Sequence, residues 1–231
     1  MIEVGNVLRS VLFYLIFYLG SAIYITFCTI SVLFGKSGMK RLCESWSHFH
    51  RFCVVRILRI KVVVEGEIPP GPILIAIRHE SFFEAIDLPT LLSHPAIFAK
   101  AELLRIPLWG KLGAAYGLIP VDREGGASAL RAMIAAVRKY EAAGRPVAIF
   151  PEGTRTPHGA EGKLQAGFSG IYKMLGLPVL PIAVNSGPLY HRRWKRRGTI
   201  TYRVGEIIPA GLPRPEVEQR VTEAINALNP A

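Results

Sequence analysis

Cysteine is scarce in this chain of 231 residues, and its placement limits the chemistry that the chain can perform. The three cysteines are Cys28, Cys43 and Cys53, and no two of them form a Cys-x-x-Cys pair. This spacing predicts neither a disulfide framework nor a zinc site, and it favours a reducing environment. Residues 61–231 contain no cysteine, which excludes a covalent thiol mechanism in that part of the chain.

Acidic residues are also few, because 17 Asp and Glu stand against 28 Lys and Arg, a formal net charge of +11 at pH 7. The mean hydropathy is nevertheless positive, at +0.30. This combination is unusual for a soluble enzyme and favours a protein on an anionic membrane surface, or one that handles anionic substrates. Nucleic-acid binding is the competing explanation of the charge, and it would need exposed basic stripes with stacking aromatic side chains.

Charged residues are absent from residues 10–35. About 20 apolar residues span a bilayer as a helix, so this run is long enough to do so. It is too long and too aromatic for a signal peptide. Gly20 and Ser21 permit a bend, which leaves a re-entrant hairpin as one alternative and a buried soluble helix as another. The positive excess directly after the run predicts that the rest of the chain lies on the cytoplasmic face, as at a bacterial inner membrane.

A second segment, residues 37–60, is predicted to be a basic amphipathic helix. Its apolar stripe consists of Leu42, Trp46, Phe49, Cys53, Ile57 and Ile60. Such a helix lies in the membrane interface or packs as a core helix against the domain behind it. His48 and His50 would point to different faces, so no metal site is expected there. We therefore predict a membrane anchor over residues 1–60.

Beyond the anchor, short apolar runs alternate with amphipathic segments. The predicted strands are residues 62–66, 72–77, 96–99, 117–121, 147–150, 179–184 and 199–204. The predicted helices are residues 85–92, 128–143 and 215–228. This alternation predicts an α/β fold, with a mixed, mostly parallel sheet covered by helices, over residues 61–231.

A histidine follows the strand predicted at residues 72–77, at the strand end where α/β sheets present reactive groups. Glu84 comes five positions after this residue, His79. A tight turn would bring the carboxylate to one ring nitrogen and leave the other nitrogen basic and directed outward. Such a pair can take a proton from a substrate hydroxyl. From this segment alone, an ordinary surface loop is the alternative.

Three further strand ends carry cations: Lys100, Arg123 and Arg155. Because the carboxyl ends of strands line one crevice, the three cations should face the histidine. A base beside several cations is typical of a site for a phosphate-bearing substrate with a hydroxyl to activate, since arginine matches phosphate oxygens two at a time. The alternative is that Asp122 and Glu152 hold the two arginines in structural salt bridges.

Taken together, these segments resemble the motif blocks of the glycerolipid acyltransferase family, the 1-acylglycerol-3-phosphate acyltransferases. The first block, a histidine and a carboxylate separated by four residues, is matched by His79 and Glu84. The second, a glycine followed by an arginine, is matched at residues 117–123. The third, Phe-Pro-Glu-Gly-Thr-Arg, is matched without change by residues 150–155, and the fourth is an apolar run around Pro181.

The match covers about residues 79–184, and residues 100–103, Lys-Ala-Glu-Leu, resemble a further Lys-x-Glu-Leu element of the family. The chain departs from the family at one position, where Glu84 stands in place of the usual aspartate. Glutamate is one methylene longer, so the backbone must place it slightly farther back. Asp87 is the rival partner, although its spacing does not fit the pattern.

The resemblance implies acyl transfer from acyl-CoA or acyl carrier protein to the free hydroxyl of 1-acylglycerol 3-phosphate, giving phosphatidic acid. It implies that His79 is the general base and that Glu84 orients it, with no metal, cofactor or acyl-enzyme required. The substrate-binding residues implied in this way are Lys100, Arg123, Glu152, Gly153, Thr154 and Arg155.

The expected partners are membrane phospholipids, the lysophospholipid and the acyl donor, with no nucleic acid. Alternatives within the enzyme class acylate glycerol 3-phosphate or another lysophospholipid. Outside that class, the chain would be a membrane-tethered binder of anionic ligands or an inactive lipid-binding relative. The basic cluster at residues 191–197 could contact anionic headgroups or an acidic carrier protein, or form a solvated loop.

Overall fold

In the computed structural model, residues 3–32, 35–121 and 126–229 are described. Its strands there are β1 (Ile60–Glu65), β2 (Leu74–Ile77), β3 (Ala96–Lys100), β4 (Leu118–Val121), β5 (Val147–Ile149), β6 (Val179–Val184) and β7 (Gly198–Val204). They form one sheet in the order β1-β7-β6-β2-β5-β3-β4. Every neighbouring pair is parallel except β6 and β7. The predicted mixed, mostly parallel α/β sheet is therefore confirmed.

Helices surround this sheet. In the same ranges they are α1 (Val4–Ser31), α2 (Lys36–Arg56), α3 (Phe82–Leu91), α4 (Trp109–Tyr116), α5 (Gly126–Glu141), α6 (Ala166–Leu175), α7 (Gly187–Tyr190) and α8 (Arg214–Ile225), with a 3₁₀ turn at Ala101–Arg105. The sequence analysis does not predict α4, α6 or α7. Each of the three is short and contains glycine, which has a low helix propensity.

Both faces of the sheet are covered because alternate residues of a strand point to opposite faces. Ile75 and Ile77 of β2 join a core that contains side chains of α1, α2 and α3. Leu74 and Ala76 join a second core with α5, α6 and α8. All four residues of β2 are buried, which explains why its sequence is a continuous apolar run.

The long N-terminal helix α1 passes through Gly20 and Ser21 without interruption. The alternative of a hairpin turning at this pair is therefore wrong. Ser21 Oγ donates to the Phe17 carbonyl at 2.7 Å and accepts from the Trp46 indole at 2.9 Å. A Cβ at position 20 would lie 2.3 Å from the ring of Phe49, so a larger residue there would require that ring to shift. The small pair thus lets α2 pack closely against α1 instead of bending the chain.

Helix α2 lies between α1 and α3. Ser47 Oγ donates to a backbone carbonyl of α3 at 2.7 Å. The guanidinium of Arg51 pairs with both oxygens of the buried Asp87, which also accepts from the Tyr202 hydroxyl at 2.9 Å. These contacts are those of a helix packed on the domain, the second alternative that the sequence leaves open for this segment.

Pro181, the proline of the fourth motif, lies inside the central strand β6. Proline lacks an N–H and is rarely found in the middle of a sheet. Here its carbonyl accepts from the Gly205 N–H at 2.9 Å, beyond the end of β7, which pairs with β6 only from Ile182 onward. The missing donor therefore falls where the neighbouring strand has already ended.

Candidate active site

His79 lies two residues beyond the end of β2, at the carboxyl edge of the sheet. Its backbone N–H donates to Glu152 Oε2 at 2.9 Å, and its carbonyl accepts from the Thr156 N–H at 2.7 Å. Its ring stacks on Phe150 with centroids 4.2 Å apart. The side chain remains 16% exposed. The imidazole is thus fixed on both backbone and ring while it stays open to a substrate.

Glu84 reaches this imidazole, with its Oε1 2.9 Å from His79 Nδ1. It is the third residue of α3, which starts with a capping box. Ser81 Oγ accepts from the Phe83 N–H at 3.0 Å, and Glu84 Oε1 accepts from the Ser81 N–H at 2.6 Å. The same oxygen accepts from the Glu80 N–H at 2.6 Å. The start of this helix is the tight turn expected from the sequence.

The second oxygen of Glu84 accepts from the hydroxyls of Ser81 at 3.1 Å and Ser186 at 2.6 Å. Glu84 has no exposed surface. Burial alone would raise the pKa of Glu84, but hydrogen bonds from His79, Ser186 and the Ser81 backbone outweigh it and lower the pKa. An ionised carboxylate can only accept, so His79 donates from Nδ1, and Nε2 carries the basic lone pair.

Asp87, the rival carboxylate, is not the partner of His79. It lies further along α3, where it holds Arg51 and Tyr202. The spacing argument in favour of Glu84 therefore agrees with the observed contacts.

Arg78 precedes the histidine and is almost completely buried, at 1% exposure. Its Nε donates to Glu80 Oε1 at 3.1 Å, and its Nη1 donates to Glu152 Oε1 at 3.4 Å and to Asn226. Its Nη2 donates to backbone carbonyls of residues 157–160 at 3.2 and 2.6 Å. One guanidinium thereby joins the end of β2, the loop after β5 and the end of α8.

Glu152, in the third motif, is buried between two parts of the site. One oxygen faces Arg78, and the other accepts from the backbone of His79. A side chain at position 162 would disturb this arrangement, because a Cβ on Gly162 would lie 2.0 Å from Glu152 Oε1. The glutamate therefore supports the histidine from behind.

Known proteins share this sequence and fold. Residues 59–185 match a family model described as Acyltransferase. A 1-acyl-sn-glycerol-3-phosphate acyltransferase of Pseudomonas aeruginosa is 31% identical over 209 residues, which cover 88% of this chain and 81% of the relative. The chain belongs to the acyltransferase family.

Two further similarities concern this acyltransferase. A protein of the same description from Helicobacter pylori is 28% identical over 155 residues, covering 65% of this chain and 61% of the relative. The crystal structure of the 1-acyl-sn-glycerophosphate (LPA) acyltransferase PlsC from Thermotoga maritima has a TM-score of 0.77 and 22% identity, covering 96% of this chain and 95% of that one. The structural similarity shows that the fold is shared.

The acyltransferase brings two of the three predicted cations to the edge of the sheet that carries His79. Lys100 is the exposed last residue of β3. Arg155 follows β5 and is exposed, with its guanidinium 4.3 Å from the centre of the Phe82 ring. Because β3 and β5 pair in parallel, both cations leave the sheet at the same edge. Arg123 lies outside the described residues.

Of the two structural salt bridges that the sequence leaves open, the described residues test the one between Glu152 and Arg155. Glu152 pairs with Arg78, so the alternative that pairs it with Arg155 is wrong. Asp122 lies outside the described residues.

Gly153 has a φ of 67° and donates its N–H to the Phe150 carbonyl at 2.9 Å, so that it closes a tight turn.

Four residues of the site are missed by sequence reasoning: Arg78, Glu80, Ser81 and Ser186. Ser81 carried a usable signal, since a Ser-x-x-Glu pattern before an apolar run predicts a capping box. Arg78 and Glu80 flank the histidine, but nothing local indicates that they turn inward. Ser186 lies 102 residues from the carboxylate that it contacts and has no local signal. In the ranges described, no group of three or more His, Cys, Asp or Glu is placed to hold a metal ion.

Proposed function

We propose that this acyltransferase transfers an acyl group from acyl-CoA or acyl carrier protein to the free hydroxyl of 1-acylglycerol 3-phosphate, giving phosphatidic acid in phospholipid biosynthesis. The observation that carries the proposal is the contact of 2.9 Å between His79 Nδ1 and the buried Glu84 carboxylate, at the open edge of the sheet. The description of the Pseudomonas aeruginosa relative supports the choice of acceptor.

In the proposed reaction, His79 Nε2 removes the proton of the acceptor hydroxyl as its oxygen attacks the thioester carbonyl. The new C–O bond forms while the carbonyl becomes an oxyanion, and Glu84 stabilises the imidazolium. Collapse of the tetrahedral intermediate breaks the C–S bond, and the leaving thiolate takes the proton back from His79. A positioned base of this kind contributes roughly 10² to 10⁴ in rate.

The phosphate of the acceptor is proposed to bind Lys100, Arg123 and Arg155. Arg155 lies over the Phe82 ring, with its guanidinium carbon 4.3 Å from the ring centre, and its N–H groups are proposed to make a bidentate contact with the phosphate. The part assigned to Arg123 depends on the sequence motif. Lys100 adds a point charge at the neighbouring strand end.

The loop at residues 152–155 is proposed to support the reacting groups. The Glu152 carboxylate positions His79 by accepting from the His79 backbone N–H, and it makes no substrate contact in this proposal. Gly153 closes the turn with its own N–H, so the oxyanion donor is assigned to the backbone N–H of the exposed Thr154.

We also propose that, within the membrane anchor predicted over residues 1–60, α1 is the part that contacts the membrane, while α2 packs on the acyltransferase domain at residues 61–231. Of the helices described, α1 is the one that is long and apolar enough to cross a membrane. Its exposed apolar side chains include Val4, Leu8, Leu12, Leu15, Leu19, Ile23, Phe27 and Ile30. Such a surface needs a lipid or protein partner.

Contacts in both halves of α1 favour a position along one membrane face. In the first half, Ser10 Oγ accepts from the Lys195 N–H at 2.8 Å. Near the end, Cys28 packs with Met39 and with Leu112 of α4. Ser10 and Cys28 lie about 27 Å apart along the helix, so a span would place them near opposite sides of a hydrocarbon core of about 30 Å. Because both positions contact one domain, the exposed side of α1 is proposed to enter the cytoplasmic leaflet.

A turnover assay tests the reaction. Purified protein in detergent would receive lysophosphatidic acid with acyl-CoA or acyl carrier protein, and phosphatidic acid and free thiol would be measured. We expect His79→Ala to lower turnover by at least about 100-fold, and His48→Ala, at an exposed histidine of α2, to leave it unchanged. Equal turnover by His79→Ala would exclude the general base. No turnover by the parent with this acceptor, glycerol 3-phosphate or another lysophospholipid would favour a non-catalytic binder.

A further inference from the structure

The loop that follows α7 carries a dense cluster of positive charge. Residues 191–197 read His-Arg-Arg-Trp-Lys-Arg-Arg, and Arg192, Arg193, Arg196 and Arg197 are exposed. Among the residues that the structure describes, none of these four guanidinium groups forms an ion pair. Their charges are therefore available to an anionic ligand.

This loop is fixed to the N-terminal half of α1. The Lys195 N–H donates to Ser10 Oγ at 2.8 Å, and the Arg193 carbonyl accepts from the Tyr14 hydroxyl at 2.7 Å. The Lys195 side chain turns inward, where its ammonium donates to the Tyr190 carbonyl at 2.8 Å and lies 3.7 Å from the centre of that ring. One lysine thus anchors the loop, and the arginines around it are held beside the helix.

Exposed leucines lie on the same helical turns of α1 that hold this loop. Leu8, Leu12 and Leu15 share the turns of Ser10 and Tyr14, on the outward side of the helix, and are 66%, 49% and 57% exposed. Arginines can bind phosphate oxygens two at a time, while apolar side chains of an interfacial helix enter the acyl region. The two features on one unit of helix and loop fit the surface of an anionic phospholipid bilayer.

We propose that Arg192, Arg193, Arg196 and Arg197 form a contact surface for anionic phospholipids, which recruits the protein to such membranes and orients it there. The inference rests on the proposed function, in which α1 lies on the membrane and both the acceptor and the product are anionic lipids. An acidic carrier protein would also be attracted by the charge. The exposed leucines of the helix that holds the loop favour the lipid surface, because a carrier recognised by charge alone would not need them.

Vesicle flotation of the full chain tests the proposal, with vesicles of phosphatidylcholine alone or of phosphatidylcholine and phosphatidylglycerol. The four arginines of the loop are replaced together by glutamine. A matched control removes the same charge from α5, α6 and α8, which pack on the opposite face of the sheet. Its four substitutions are Arg131→Gln, Lys139→Gln, Lys173→Gln and Arg220→Gln. We expect the loop variant to bind anionic vesicles about 100-fold more weakly, with unchanged binding to neutral vesicles and only a small change in the control.

Equal binding of the parent to both kinds of vesicle, or an equal loss in the control variant, would overturn the proposal. Binding to neither kind would overturn it together with the membrane position of α1, while the reaction itself is measured separately in detergent. There, phosphatidic acid formation from acyl-CoA should be unchanged in the loop variant. A variant that keeps its vesicle binding and loses turnover only with acyl carrier protein would assign the loop to the carrier instead.

Discussion

The charge of Glu84 can be separated from its positioning function by one substitution, Glu84→Gln. Oε1 accepts from His79 Nδ1 and from the N–H groups of Glu80 and Ser81, and the two backbone N–H groups can only donate. Oε2 contacts the hydroxyls of Ser81 and Ser186, which can rotate to accept instead. A glutamine therefore places its carbonyl at Oε1 and its amide nitrogen at Oε2, and its partners stay satisfied.

The substitution then removes the charge and little else. The imidazolium of His79 forms with its Nδ1 2.9 Å from a carboxylate oxygen, which puts the centres of charge about 4 Å apart. At an effective dielectric constant of about 20, two unit charges at that distance attract by about 4 kcal/mol. Part of this attraction survives as a hydrogen bond to the amide carbonyl, so we expect a loss of about 3 kcal/mol, or about 100-fold in kcat/KM.

Initial rates of phosphatidic acid formation measure this loss, and circular dichroism establishes that the variant is folded. Glu206→Gln makes the same chemical change at an exposed carboxylate and should leave kcat/KM unchanged. Retention of more than about a tenth of the parent kcat/KM by folded Glu84→Gln would refute the reasoning, because the charge would then not act on His79.

Three further outcomes follow from the contacts. Ser186→Ala removes a hydroxyl donor to the Glu84 carboxylate and should lower kcat/KM by about 10-fold in the same assay, and parent rates would contradict this. Arg51→Met leaves the buried Asp87 unpaired and should lower the free energy of unfolding in urea by about 3–5 kcal/mol, whereas the exposed Arg56→Met should change it by less than about 0.5 kcal/mol. Burial lowers the pKa of His50 to about 3, so between pH about 3 and about 6.5 only the unfolded chain binds this proton. Stability should therefore fall by roughly 2 kcal/mol between pH 7.5 and 5, and His50→Gln should remove that slope, while an unchanged slope would contradict the assignment.

The strand positions could be predicted from the sequence because the central strands are buried on both faces. Leu74–Ile77 and Val179–Val184 are continuous apolar runs of the kind that parallel sheets produce. The direction of β7 could not be predicted in this way. It runs antiparallel to β6 and parallel to β1, and this pairing depends on contacts between segments far apart in the sequence.

In the candidate site, too, contacts within one turn could be predicted and contacts between distant segments could not. The contact between His79 and Glu84 could be predicted because both residues belong to one turn. Arg78 could not be placed, since an arginine beside an open histidine is ordinarily exposed. It is buried because acceptors from three distant segments, including Glu152 and Asn226, converge on one guanidinium. The residues next to Arg78 in the sequence carry no information about these distant acceptors.

The glutamate that departs from the family pattern is explained by the start of α3. At the third position of a helix, a glutamate reaches back to the N-cap backbone, which is the geometry of a capping box. Here the same oxygen that accepts from the Ser81 N–H also accepts from His79, so one side chain starts the helix and orients the imidazole. The glutamate side chain, which is one methylene longer than aspartate, therefore has the length that this turn requires. Asp87 cannot take over this function, because Arg51 and Tyr202 already hold its carboxylate deeper in the core.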